Sequence, residues 1–384
     1  MAAGMDTLKA PQEGKLKRIV IKIGTSTLID VDRRLKIAFL YDLARQVNEL
    51  RKMGIDVVIV SSGAIGVGLR RLRIAERPDD IPTLQAAAAI GQVELSSRYD
   101  DAFYHYGIQL AQVLLTRFET GERDAYLHAR DTLERLIELG IVPLVNENDT
   151  VVVDEIKFGD NDTLATVVAT MINADLVILL SDIDGLYTAD PRTSEDAELL
   201  ERVGSLTEDL YDAAGGVGSA FGSGGMITKL KSARVLMKAG IPMVICEGSR
   251  PNVVLDVATG EHVGTLFESD EEGHRASAKK LWIALGGRPK GDVIVDDGAV
   301  AALRKRGSSL LPVGVKGVVG EFEPGAPINI LDGRNRIIGR GLARMSAFDA
   351  RLAMGKQSSA LADDPATSHL KDPVVIHRDE LIVF

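Results

Sequence analysis

Residues 141–162 read Ile-Val-Pro-Leu-Val-Asn-Glu-Asn-Asp-Thr-Val-Val-Val-Asp-Glu-Ile-Lys-Phe-Gly-Asp-Asn-Asp. The run Ile141 to Val145 has the length and composition of a buried strand, and it breaks off sharply at Asn146, Glu147, Asn148 and Asp149. A second polar cluster, Gly159, Asp160, Asn161 and Asp162, comes just before a helical pattern. Strand, polar connection and helix make one step of an α/β alternation. Carboxamides and carboxylates at the ends of regular elements can hold an ammonium group, a hydroxyl or a hydrated Mg²⁺. The same residue types also dominate ordinary turns and helix caps, so the segment alone fits either reading.

The same step recurs on both sides. Strand-like runs lie at Arg18 to Ile23, Asp56 to Val60, Ile108 to Leu115, Leu176 to Leu180 and Pro242 to Cys246. Leu40, Leu43, Val47 and Leu50 repeat at helical spacing, and Gly54 ends that helix. Further helical stretches cover roughly 83–104, 122–139, 161–172 and 226–239. The expected fold is α/β, an open and mainly parallel sheet sandwiched by helices. After about residue 270 the pattern changes to short β-type runs at Val293 to Val295, Val315 to Val319, Ile328 to Leu331 and Ile337 to Ile338, with one short helix near Ala299 to Lys305. Asp332-Gly333 between two of these runs signals a hairpin. A small, mostly-β, barrel-like module is expected there. The expected division is an N-terminal extension (1–17), an α/β domain (18–270), a linker (271–287), the β module (288–368) and a loosely patterned C-terminal segment (369–384).

A chain of 384 residues is long enough for two domains. Its net charge of −10 argues against nonspecific nucleic-acid binding by the whole chain. Cys246 is the only cysteine and lies in an apolar run, so it reads as a buried, inert thiol. Intrachain disulfides are excluded, which fits a reducing compartment. No segment has the length and apolarity of a membrane span, and a cytoplasmic location is expected.

Glycine-containing turns follow the strand-like runs. They are Lys22-Ile23-Gly24-Thr25-Ser26, Ser61-Ser62-Gly63-Ala64-Ile65-Gly66 and Ser181-Asp182-Ile183-Asp184-Gly185-Leu186-Tyr187. A further loop, Gly222-Ser223-Gly224-Gly225-Met226-Ile227-Thr228-Lys229, runs into a helix. Glycine lets backbone N–H groups approach phosphate oxygens, and a lysine nearby can neutralise developing charge. In an open α/β sheet such turns gather beyond the carboxyl ends of the strands. None matches the Walker A or dinucleotide patterns. Together they point to an enzyme that handles phosphate.

In combination these strings, with Asn146 to Asp149, Lys157 to Asp162 and Asp184 to Arg192, closely resemble the amino acid kinase family, within it the branch that phosphorylates free glutamate. The later strings Val295 to Ala299, Gly307 to Pro312 and Val315 to Phe322 resemble a PUA domain. The resemblance implies ATP-dependent phosphorylation of the γ-carboxylate of L-glutamate to L-glutamyl 5-phosphate, the first step of proline biosynthesis, with Mg²⁺ and with feedback inhibition by proline. Catalytic roles fall to Lys22 and Lys229, which would flank the transferred phosphoryl group, and to Asp160, which would orient them, with Asp162 also organising the site. Substrate contacts fall to Ser62, Gly63, Asn146, Asp149 and Asn161. ATP contacts fall to Lys22, Gly24, Ser181, Asp182, Ser223, Gly224, Gly225, Met226, Ile227, Thr228 and Lys229. No metal ligand is assigned. A homo-oligomer, dimer or tetramer, is implied.

A carboxylate acceptor is already ionised at neutral pH, its pKa being about 4.3, so no general base is required. The chemical task is to align two anions and offset their repulsion. Relatives acting on acetylglutamate, aspartate, carbamate or a nucleoside monophosphate share the lysine and glycine turns. RNA binding by the β module is the alternative of a different class. Its one basic cluster, Arg304-Lys305-Arg306, fits a solvated helix face, so nucleic acid is not expected as a partner.

Overall fold

A computed structural model describes residues 16–116, 123–151, 161–191, 194, 196–207, 210–211, 225–268, 283, 289–357, 360–361, 364–370 and 373–383. Asp160, Ser223, Gly224, nearly all of the expected N-terminal extension and nearly all of the expected linker lie outside these residues. The chain forms two compact units, divided between Gly273 and His274 apart from a short stretch near residue 120.

In the first unit the strands are β1 (Arg18–Ile23), β2 (Asp56–Ser61), β3 (Leu110–Leu115), β4 (Val142–Glu147), β5 (Leu176–Ser181), the short β6 (Leu186–Tyr187), β7 (Leu199–Leu200) and β8 (Arg202–Val203), then β9 (Met243–Glu247) and β10 (Thr265–Phe267). The helices are α1 (Thr25–Leu28), α2 (Ile37–Lys52), α3 (Ala64–Arg71), α4 (Ile81–Tyr104), α5 (Arg123–Glu138), α6 (Asn161–Met171), α7 (Met226–Ala239) and α8 (Val253–Ala258). The main sheet runs β3-β4-β2-β1-β5-β9-β10-β8. It is parallel from β3 to β9, and β10 pairs antiparallel with β9. The expected open, mainly parallel sheet is therefore the one observed. The antiparallel return through β10 was not anticipated, because three residues are too few to show a period.

Alternation along β1 sets the two faces. Ile19, Ile21 and Ile23 belong to a core with Leu40, Leu43, Val47 and Leu50 of α2, Leu95, Tyr99 and Phe103 of α4, and Val253, Val254 and Val257 of α8. Val20 and Lys22 therefore project from the opposite face. There α6 packs across β1, β2, β4 and β5 and against α7. Every residue of α6 from Leu164 to Met171 is buried, and the Thr166 and Thr170 hydroxyls donate back to carbonyls of their own helix. Helices α3 and α4 meet at glycines: a Cβ added at Gly91 would lie 1.8 Å from the Ala64 carbonyl oxygen, and one at Gly68 only 1.7 Å from that of Ala87.

The second unit holds β11 (Gly291–Val295), α9 (Asp297–Arg306), β12 (Val315–Gly320), β13 (Pro327–Leu331), β14 (Ile337–Ala343), α10 (Ala347–Ala353) and β15 (Ile376–Val383). Its sheet runs β12-β11-β13-β14-β15. An isolated bridge between Leu310 and Ile376 ties the segment entering β12, one edge of the sheet, to β15 at the other. The β13–β14 hairpin forms where expected, but Asn335, with φ of 60°, takes the left-handed position rather than Gly333. One expectation is corrected. Within the expected C-terminal segment, Ile376–Val383 is not loosely patterned but forms β15, which pairs antiparallel with β14 in the same sheet. Its charged middle, His377-Arg378-Asp379-Glu380, hides the strand pattern because the strand lies at the sheet edge, where charged side chains reach water.

Candidate active site

The central strand β1 pairs in parallel with β2 on one side and β5 on the other, so its end is the point where the chain's winding reverses. Register aligns Ile23 with Ser61 and Leu180, and Ser181 with Glu247. The polar ends of the neighbouring strands, Ser61, Asn146 and Ser181, thus share one edge with Lys22.

At this edge a single carboxylate joins the two lysines. Asp162 Oδ1 lies 2.6 Å from Lys22 Nζ. Its Oδ2 accepts from Lys229 Nζ at 3.0 Å. All three side chains are buried, Asp162 with 1% exposure. Asp162 stands in the first turn of α6, where the helix dipole also favours negative charge. Burial pushes its carboxyl up, but the Lys22 and Lys229 ammonium groups more than offset this and hold it below the usual carboxylate value. The Thr228 hydroxyl lies 3.1 Å from Asp162 Oδ2 and 2.8 Å from the Gly225 carbonyl oxygen, and its one proton serves one of them at a time.

A carboxamide cluster adjoins these charges. Asn161 Nδ2 donates toward the Ser61 carbonyl oxygen (2.7 Å), Ser62 Oγ (2.9 Å) and Asn146 Oδ1 (3.0 Å). Ser61 Oγ is in turn 3.0 Å from the Tyr99 hydroxyl. Gly63 has φ of 96° at the N-cap of α3, a conformation that demands glycine. Asp149 lies in the turn after β4, two residues beyond Glu147, and is half-buried.

The expected nucleotide residues divide. Ser181 ends β5, buried, with its Oγ donating to Asp182 Oδ1 at 3.2 Å, while Asp182 is exposed. Gly225 caps α7, which carries Met226, Ile227, Thr228 and Lys229 in its first turn. The Gly24 N–H is already taken by the Leu180 carbonyl at 3.0 Å, so this glycine serves close packing: a Cβ there would sit 3.2 Å from that same oxygen. Gln92 and Tyr99 of α4, which hold Asn146 and Ser61, were not singled out from the sequence. A lone glutamine in an alanine-rich helix carries no motif, and burial is its only signal.

Among the described residues, no three His, Cys, Asp or Glu side chains converge as a metal cage. No helix of the described residues is long and apolar enough to cross a membrane.

Comparison with known proteins agrees with this architecture. The amino acid kinase family matches residues 17–247 and the PUA domain residues 291–363. The chain is 44% identical over 370 residues to the glutamate 5-kinase of Trichormus variabilis, covering 96% of this chain and 99% of that protein. It is 43% identical over 369 residues to the glutamate 5-kinase of Geobacter sulfurreducens, covering 96% and 98%. Against the glutamate 5-kinase of Cupriavidus pinatubonensis it is 43% identical over 367 residues, again 96% and 98%. A parallel sheet with two lysines gathered at its switch point, a family match across that sheet and near-full-length kinase relatives lead to one assignment: the chain is a kinase and belongs to the amino acid kinase family.

Proposed function

We propose that the chain transfers the γ-phosphoryl group of ATP to the γ-carboxylate of L-glutamate, giving L-glutamyl 5-phosphate and ADP. The observation that carries this reading is the buried Lys22–Asp162–Lys229 cluster beside the Asn161–Asn146–Ser62 carboxamide set. The relatives' activity supports glutamate as the acceptor.

Two anions must meet in line, and the carboxylate nucleophile needs no base. Lys22 and Lys229 offset the repulsion and the charge spreading over the transferred group. Asp162 keeps both ammonium groups in register, and Asp160 helps to orient them. Ser62, Gly63, Asn146, Asp149 and Asn161 bind the amino acid. Ser181, Asp182 and the loop from Ser223 to Lys229 bind the nucleotide. With no converging carboxylates among the described residues, Mg²⁺ fits this site as a partner of the nucleotide phosphates, keeping several waters, as is its habit. Bound there, it supplies further neutralisation of the phosphates.

In this reading residues 18–270 carry catalysis, and the product enters proline biosynthesis in the cytoplasm. Proline acts as a feedback inhibitor overlapping the glutamate site near 146–162, and the active form is a homo-oligomer. A hydroxamate trap tests the central claim. Hydroxylamine should yield the coloured iron hydroxamate only when glutamate, ATP and Mg²⁺ are all present. Trapping with aspartate or acetylglutamate in place of glutamate would overturn the assigned substrate.

A further inference from the structure

The carboxamides behind the proposed glutamate site form a chain whose direction can be read. Asn161 Nδ2 faces the Ser61 carbonyl oxygen, which can only accept, so the orientation of this amide is fixed. Asn146 Oδ1 faces the Glu147 backbone N–H at 2.9 Å, which can only donate. That turns Asn146 Nδ2 toward Gln92 Oε1, 2.8 Å away. Gln92 Nε2 then reaches Ser96 Oγ at 3.2 Å, and Ser96 Oγ donates to Gln112 Oε1 at 2.7 Å. Every link from Asn161 to Gln112 therefore runs donor to acceptor in one sense, an arrangement whose members polarise one another.

The consequence falls on Asn161. Its Nδ2 hydrogens are committed to protein acceptors, and no donor among the described residues reaches its Oδ1. A half-buried carbonyl-type oxygen at the site edge is matched by a ligand that donates. We infer that Gln92 is a positioning residue: together with the Glu147 N–H it pins the Asn146 amide at both ends, and Asn146 with the Ser61 carbonyl oxygen holds Asn161 with Oδ1 presented to the α-ammonium group of the substrate. This rests on the proposal that the site binds glutamate. It assigns the choice of an amino acid over a plain dicarboxylate to a side chain that touches neither substrate nor nucleotide.

Replacing Gln92 by leucine leaves the buried Asn146 Nδ2, on a residue 2% exposed, without its acceptor. Asn146 is then held by the Glu147 N–H alone, and its hydrogen bond to Asn161 loosens. Gln92→Glu keeps an acceptor toward Asn146, and the Ser96 hydroxyl can turn to donate to it. The full-length enzyme and its variants Gln92→Leu, Gln92→Glu and Asn161→Ala are compared for glutamate KM, ATP KM, kcat and competitive inhibition by glutarate, which has both carboxylates but no ammonium. In Gln92→Leu, glutamate KM should rise about three- to tenfold, the span expected for one lost buried hydrogen bond. ATP KM and kcat should stay within a factor of two, and the preference for glutamate over glutarate should fall by a similar factor. Gln92→Glu should restore that preference, and Asn161→Ala should lose it. Unchanged preference in Gln92→Leu, or equal impairment in Gln92→Glu, overturns the positioning role while Asn161→Ala still shows the loss. Unchanged preference in Asn161→Ala itself would remove the reading of the substrate site.

Discussion

Changing Asp162 to asparagine keeps the shape of the side chain and deletes the charge that holds the two lysines. The substitution removes the carboxylate that both lysines share, at a site where the lysines are 6–7% exposed. Removing one partner from a buried ion pair costs about 3–5 kcal/mol. For a domain of this size each kcal/mol moves Tm by about 2–4 °C, so the variant should melt roughly 6–20 °C lower. Turnover should fall by about 10²–10³, the usual cost of losing preorganised charge stabilisation. A diagnostic sign goes with these losses. ATP with Mg²⁺ brings phosphate charge to ammonium groups that have lost this shared carboxylate, so nucleotide should raise the Tm of Asp162→Asn by more than it raises that of the native enzyme. Differential scanning fluorimetry with and without nucleotide, alongside an ADP-release assay, reads all three quantities. Native Tm and native kcat in this variant would refute the claim that Asp162 organises the lysines.

The pH dependence follows from the same group. Because the folded-state pKa of Asp162 lies below 3.8, the unfolded chain takes up its proton first as pH falls, and this contribution to stability is full above about pH 4 and lost below it. The Tm gap between native enzyme and Asp162→Asn should hold from pH 7 to about 4 and narrow beneath; narrowing already at pH 5–6 would contradict the assignment. Lys22→Ala and Lys229→Ala should each lower kcat about 10²–10³-fold in ADP-release assays, and normal turnover in either would remove that lysine from the mechanism. Gly91→Ala drives a methyl into the Ala64 carbonyl oxygen, a backbone atom that cannot swing aside, and should cost at least about 1–3 kcal/mol in urea unfolding. Cys246 is fully buried with its thiol pushed up to about 12, so native protein should not react with thiol reagents at pH 8 until unfolded, and rapid labelling would show the packing to be wrong.

The strands of the main sheet were legible because each is a short apolar run bounded by glycine or polar clusters, and Lys22 stood out as the one charge inside such a run. Helix α7, Met226–Ala239, matches its periodicity end to end. What escaped was decided by depth and by partners far along the chain. That Asp162 touches both lysines is decided by the placement of α6 across β1. Gln92 reads as a polar position on a surface helix, and only the fold brings it to its partner Asn146 of β4, 54 residues along the chain. The strand β15 was missed because an edge strand with a charged middle has no alternating pattern to read.

The three members of the charge cluster come from the first strand, a central helix and a late helix. Lys22 leaves the ribosome long before the carboxylate that will neutralise it, and Lys229 follows later still. Until residue 162 emerges, seating β1 in a dry sheet would strand a cation without a counter-charge, and until β5 follows, one edge of β1 lacks its neighbour. Although synthesised before these partners, β1 can thus be locked in place only after them, and a stall in translation anywhere between leaves it open to water, chaperones and other chains.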